Sequence, residues 1–140
     1  MGQKVNPIGL RVGISKTWNS KWYAGKDYPE QLKQDLSIQK FVKKRLKHAA
    51  ISHIEVERTA KKTKVNIFTA RPGIIIGRKG DEVERLKHEL NKLTRHEVIV
   101  NIKEIKRPEI EATLVAENIA NQLERRIAYR RAIRRAMTSA

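Results

Sequence analysis

The chain has 140 residues, a net charge of +16, 33% charged and 39% apolar residues, and no cysteine. That length suits one domain with a real core, and the missing cysteines exclude disulfides, thiolate chemistry and Cys-based zinc sites. No apolar run nears the roughly 20 residues of a membrane span, and no apolar signal region follows Met1, so a cytoplasmic protein without membrane contact is expected. Met1-Gly2-Gln3-Lys4-Val5-Asn6 begins like a myristoylation site, but Asn6 stands where Ser or Thr is wanted. So large a positive charge weakens a compact domain through self-repulsion unless a polyanion meets it. Nucleic acid is the expected partner, because each neutralised phosphate releases counterions.

Residues 1–28 predict an extended arm: Pro7, four glycines and scattered cations break any long period, yet Val5, Ile8, Leu10, Trp18, Trp22 and Tyr23 are too apolar for pure disorder. Pro29 to about Ala49 predicts a helix, with Pro29 and Glu30 suited to its first turn and Leu32, Leu36, Val42 and Leu46 on or near one face. Lys40, Lys43, Lys44, Arg45 and Lys47 crowd its C-terminal half. Two strands follow, around Ile54–Arg58 and Val65–Thr69, joined by a turn at Ala60-Lys61-Lys62. After a short apolar helix and a glycine turn, Asp81–Arg95 carries Val83, Leu86, Leu90 and Leu93 on one stripe. His96–Ile105 is the third strand. From Glu109 the chain is helix-like, with Tyr129 as a brief break, and it stops at Ala140 with no cap, as a cut within a longer protein does. One layer of helices on one face of a three-stranded sheet is the expected architecture, an α+β sandwich.

Gly73-Ile74-Ile75-Ile76-Gly77-Arg78-Lys79-Gly80 is the most informative stretch. Gly77 and Gly80 let backbone approach backbone without a Cβ between, and Arg78 and Lys79 stand where a phosphate can meet both charges and the N–H groups opening the next helix. The KH module holds about four nucleotides with such a GXXG loop. A nucleotide-binding P-loop is excluded on spacing and on the missing hydroxyl after Lys79, and a dinucleotide fingerprint on the missing Gly-x-Gly. Near the C-terminus Arg126, Arg130 and Arg134 recur at i+4, as do Arg131 and Arg135, with no acid among them. Intrahelical pairing therefore cannot account for this ladder, and RNA phosphate can. In the arm Lys16, Trp18, Lys21, Trp22, Tyr23 and Lys26 interleave cations and rings, which serve either base stacking or anchoring of the arm. The four histidines share no metal spacing and no nucleophile stands beside a base, so no metal, cofactor, small-molecule substrate or catalysis is expected.

Met1-Gly2-Gln3-Lys4-Val5-Asn6-Pro7-Ile8-Gly9-Leu10-Arg11 with Trp18-Asn19-Ser20, the stretch Thr69 to Gly80, and Gln122-Leu123-Glu124-Arg125-Arg126-Ile127 closely resemble the bacterial-type small-subunit ribosomal protein S-three family, in order and over essentially the whole chain. The resemblance implies a type II KH domain at 29–107, preceded by an arm at 1–28 and followed by a basic helical segment at 108–140. It implies a structural constituent of the small-subunit head that binds small-subunit rRNA, adjoins other head proteins and helps line the channel through which mRNA enters. Clamp residues fall by motif on Gly77, Arg78, Lys79 and Gly80, and channel cations on Arg130, Arg131 and Arg134 with Arg135 alongside. Arg71, Arg126, Lys4, Arg11, Lys16, Trp18 and Trp22 complete the expected RNA-binding set. The family carries a second α+β domain beyond this point, which these 140 residues do not contain: the sequence is a fragment, or the remainder is encoded separately or missing. A free-standing KH regulator or RNA chaperone is the alternative.

Overall fold

The computed structural model describes residues 2–59, 62–77, 80–94 and 96–140. The expected turn at Ala60 and Lys61 lies outside them. Elements run α1 (Pro7–Arg11), β1 (Ser20–Lys21), α2 (Tyr28–Arg45), β2 (Ile51–Arg58), β3 (Lys62–Thr69), α3 (Pro72–Ile76), α4 (Asp81–Leu93), β4 (Glu97–Glu104), α5 (Ala112–Glu124) and α6 (Tyr129–Ser139).

The sheet has four strands in the order β1-β2-β3-β4, not the three expected. β2 and β3 are antiparallel, and β4 lies parallel to β3 after the α3–α4 crossover. The extra strand comes from the arm: Ser20 and Lys21 run parallel to Val56 and Glu57, and the Val56 N–H donates to the Asn19 carbonyl at 2.7 Å. An open strand edge offers unpaired backbone groups, and the arm satisfies some of β2's. Two residues are too few to produce a readable alternation.

One face of the sheet carries the core. Ile54 of β2, Val65 and Ile67 of β3 and Val98 of β4 meet Ile38 and Val42 of α2, Ile75 of α3, and Leu86 and Leu90 of α4, all buried. Val98, Val100 and Ile102 share the inner face of β4 as their alternation predicts. The buried face of α2 departs from expectation. Val42 is buried as expected, but Leu36 is 48% exposed, and Asp35 and Ile38 are buried in its place. Asp35 can lie there because its carboxylate is fully partnered: it accepts from Arg58 Nε at 2.8 Å and from Trp22 Nε1 at 2.6 Å. A buried carboxylate without such donors costs several kcal/mol, roughly.

The C-terminal helical stretch breaks just before Tyr129, where a brief break is expected. α5 ends in a Schellman motif, with the Ile127 N–H donating to the Gln122 carbonyl at 3.1 Å and the Arg126 N–H to the Leu123 carbonyl at 2.8 Å. Arg126 takes the left-handed conformation, φ 61°, where glycine usually stands. α6 then folds back against α5 and buries Ala132 and Ala136.

Candidate nucleic-acid interface

Thr69, at the end of β3 and fully buried, sets the entry to the glycine turn. Its hydroxyl bonds the Ala49 carbonyl and accepts the Arg71 N–H at 3.0 Å, fixing Arg71 just before Pro72. Pro72 occupies the first turn of α3, where its missing N–H is not needed. In the Ile74-Ile75-Ile76 run only Ile75 is buried, so this single residue pins α3 to the sheet while its neighbours stay open to solvent. Arg71 is exposed at the start of the helix.

Gly77 closes α3, donating to the Gly73 carbonyl at 3.0 Å, with φ 69° and ψ −172°. That conformation belongs almost solely to glycine. A Cβ there would stand 2.8 Å from Cγ and 2.9 Å from Cβ of Glu82. Gly80 is also left-handed, φ 88°, and caps α4, but open space surrounds it. The two glycines therefore differ: Gly77 answers both a backbone and a packing demand, Gly80 a backbone demand alone. Asp81, Glu82 and Glu84 follow in the first turn of α4, and Arg45 of α2 reaches Glu82 at 3.5 Å and Glu89 at 3.6 Å. Arg78 and Lys79, the expected cations at the tip, lie outside the described residues.

On α6 the arginines Arg130, Arg131, Arg134 and Arg135 are all exposed, and among the described residues none meets a carboxylate at ion-pair distance. Arg130 lies 5.7 Å from the Tyr129 ring centroid, and its Nε donates to the Tyr129 hydroxyl at 3.1 Å. Arg126 leaves the ladder. Its left-handed backbone ends the α5 register, so the i+4 relation to Arg130 no longer puts the two on one helix face. Beside Arg130 and Arg134 runs an exposed apolar stripe of Tyr129, Ile133 and Met137.

In the arm Lys4, Arg11 and Lys16 are exposed and Trp18 is 64% exposed. Trp22 is half-buried, bonded to Asp35, 5.5 Å from the Tyr28 ring and 6.0 Å from the Arg58 guanidinium carbon. Of the two roles open to the arm's rings, these contacts fit anchoring for Trp22 and leave Trp18 free to stack. Among the described residues no group of acids and histidines could hold a metal, and no helix is long and apolar enough to cross a membrane.

The KH domain family matches residues 37–110. The chain is 63% identical over 139 residues to small ribosomal subunit protein uS3 of Geobacter sp. (strain M21), covering 99% of this chain and 66% of that protein. It is 60% identical over 140 residues to the uS3 of Syntrophus aciditrophicus (strain SB), and 61% to that of Pelobacter propionicus (strain DSM 2379 / NBRC 103807 / OttBd1), covering all of this chain and 65% and 67% of those proteins. The chain thus spans about two thirds of the length of these curated relatives.

Proposed function

Because the chain belongs to the uS3 family of small ribosomal subunit proteins, with a KH domain at its centre, we propose that it is a structural, RNA-binding constituent of the small subunit, without chemistry of its own. It binds small-subunit rRNA in the subunit head beside other head proteins, and its α6 arginines face the channel through which mRNA enters. The observation that carries this reading is the α3–α4 turn. Gly77, with a backbone only glycine adopts comfortably, closes one helix, and Gly80 opens the next. A sugar-phosphate backbone can approach such a turn without meeting a side chain from either glycine. Arg78 and Lys79, between the two glycines in sequence, Arg71 at the start of α3, and Lys4, Arg11, Lys16 and Trp18 in the arm complete the RNA-binding set. Its cellular place is the cytoplasmic ribosome.

The test is sedimentation of the untagged protein in cell lysate at low and high magnesium. Co-migration with small subunits through a moderate salt wash supports the reading. A protein that stays at the top of the gradient favours a separate RNA-binding module. In vitro, Arg78→Asp/Lys79→Asp weakens single-stranded RNA binding while circular dichroism is unchanged. Unaltered affinity would remove the clamp.

A further inference from the structure

We propose that α2 carries a second RNA-binding surface: a lysine ridge that takes the phosphate backbone of helical RNA, distinct from the single-strand clamp. The proposal rests on the RNA-binding reading above but uses none of its residues.

Lys33, Lys40, Lys43 and Lys44 fall within an arc of about 100° at 3.6 residues per turn, and Lys47 follows in the short 3-10 turn just after α2. Asp35, Ile38 and Val42, the buried face, lie roughly opposite. All five lysines are exposed, and among the described residues none meets a carboxylate at ion-pair distance. Arg45 shows the contrast: it projects toward α4 and pairs with Glu82 and Glu89. Glu117 of α5 borders a shallow recess with Lys43, Leu46 and Lys47 but forms no ion pair with either lysine.

The helix dipole does not account for the ridge. Its favour for cations fades within the last turn, so it covers Lys43 and Lys44 but not Lys33 or Lys40. Like charges at Lys40/Lys44 repel at i+4 spacing, a standing cost in the free protein that a polyanion removes.

Chemistry selects the kind of RNA. Single strands are held by aromatic platforms as well as charge, and this face has none: Phe41, the one aromatic in the helix beyond Tyr28, packs against the core. Lysines are point charges that hold phosphate without reading bases. A row about 16 Å long from Lys33 to Lys44, on a convex cylinder, fits the phosphates across the wide, shallow minor groove of an RNA duplex.

The test compares the full chain with Lys40→Gln/Lys43→Gln/Lys44→Gln/Lys47→Gln, and with a control of equal charge loss, Lys64→Gln/Lys87→Gln/Lys92→Gln/Lys106→Gln. Two probes are titrated across salt: an RNA stem of about 20 base pairs and an oligouridine of about 12 nucleotides. The ridge variant lowers the salt slope on the stem by about 3.6, from four contacts at roughly 0.9 each. The control lowers it by less than 1, and oligouridine binding is little changed in either variant. Equal losses in ridge and control variants, equal losses on both probes, or a wild-type chain that ignores the stem each overturn the ridge. Stem binding that depends on the ridge, with no oligouridine binding by any form, supports the ridge and instead removes the single-strand clamp. If the quadruple variant melts early, the pairs Lys40→Gln/Lys44→Gln and Lys43→Gln/Lys47→Gln each lower the stem slope by about half as much.

Discussion

The side chain of Glu82 occupies the space that any side chain on Gly77 would need, its Cγ 2.8 Å from where a Cβ would stand. Helix α4 thus closes over the end of α3 without room for a larger residue. Glu82 is held in turn from α2, through Arg45 at 3.5 Å, and meets Arg85 at 3.9 Å. The glycine turn is supported by packing from below, and its own backbone is only part of what shapes it.

This asymmetry separates the two glycines of the turn. Gly77→Ala must adopt a glycine-only conformation and displace Glu82, which together cost about 2–4 kcal/mol. Gly80→Ala has open space and a left-handed backbone alone, about 1–2 kcal/mol. Urea unfolding with a common m-value measures both. Equal losses would mean that Glu82 swings aside freely. A substitution at Gly77 therefore cannot test RNA contact cleanly, whereas Arg78 and Lys79, between the two glycines in sequence, can.

The arm is tied to the domain through a carboxylate. Asp35, fully buried, accepts from Trp22 and Arg58, and Arg58 also reaches Gln34 Oε1 at 3.1 Å. Trp22→Phe keeps an aromatic ring but removes the N–H donor. It is expected to cost about 1.5–3 kcal/mol and to speed hydrogen exchange at the Val56 amide, which the arm's Asn19 carbonyl protects. Asp35→Ala strands the buried Arg58 charge and costs about 3–5 kcal/mol. Exchange at Val56 unchanged in Trp22→Phe would show that β1 is held without this anchor.

How much of this was legible in the sequence follows from the range of each interaction. The α2-β2-β3-α3-α4-β4 order and the glycine turn were readable, because periodicity and glycine chemistry are local. The burial of Asp35 was not: its partners lie 13 and 23 residues away, and nothing near it marks it as inward. Leu36 was misplaced inward for the complementary reason, as an apolar residue one position from the true buried face. β1 escaped notice because two paired residues leave no alternation. The break between α5 and α6 was readable only as an interruption at Tyr129; its turning point at Arg126 was not, because an arginine, not a glycine, occupies the left-handed position.

That arginine yields the next prediction. Arg126→Gly removes the penalty of a Cβ at φ 61° and preserves the Schellman bonds from Arg126 and Ile127. Stability should rise by up to about 1 kcal/mol, read as a higher Tm. No gain, or a loss, would mean that the Arg126 side chain makes a stabilising contact that outweighs its backbone strain.

His53 of β2 gives the domain a pH dependence of defined sign. Its ring stacks on Phe68, with centroids 4.1 Å apart, and Ser52 Oγ lies 3.1 Å from its Nδ1. Burial holds its pKa below the usual histidine value; Glu55 and Glu111 pull upward, while Lys16 and Lys21 push downward. Lys103, over the Phe68 ring at 5.0 Å, adds a cation on that side. The folded state therefore binds the proton less readily than the unfolded chain, which titrates near about 6.5. This contribution is whole above that pH and declines as pH falls from there toward the lower folded value. Wild-type stability should drop as pH falls through and below about 6.5, and His53→Gln should flatten that part of the profile. Tm measured across this range in both proteins decides it. Parallel curves would assign the acid sensitivity to other groups, whereas convergence of the two at low pH would place it at the ring on Phe68.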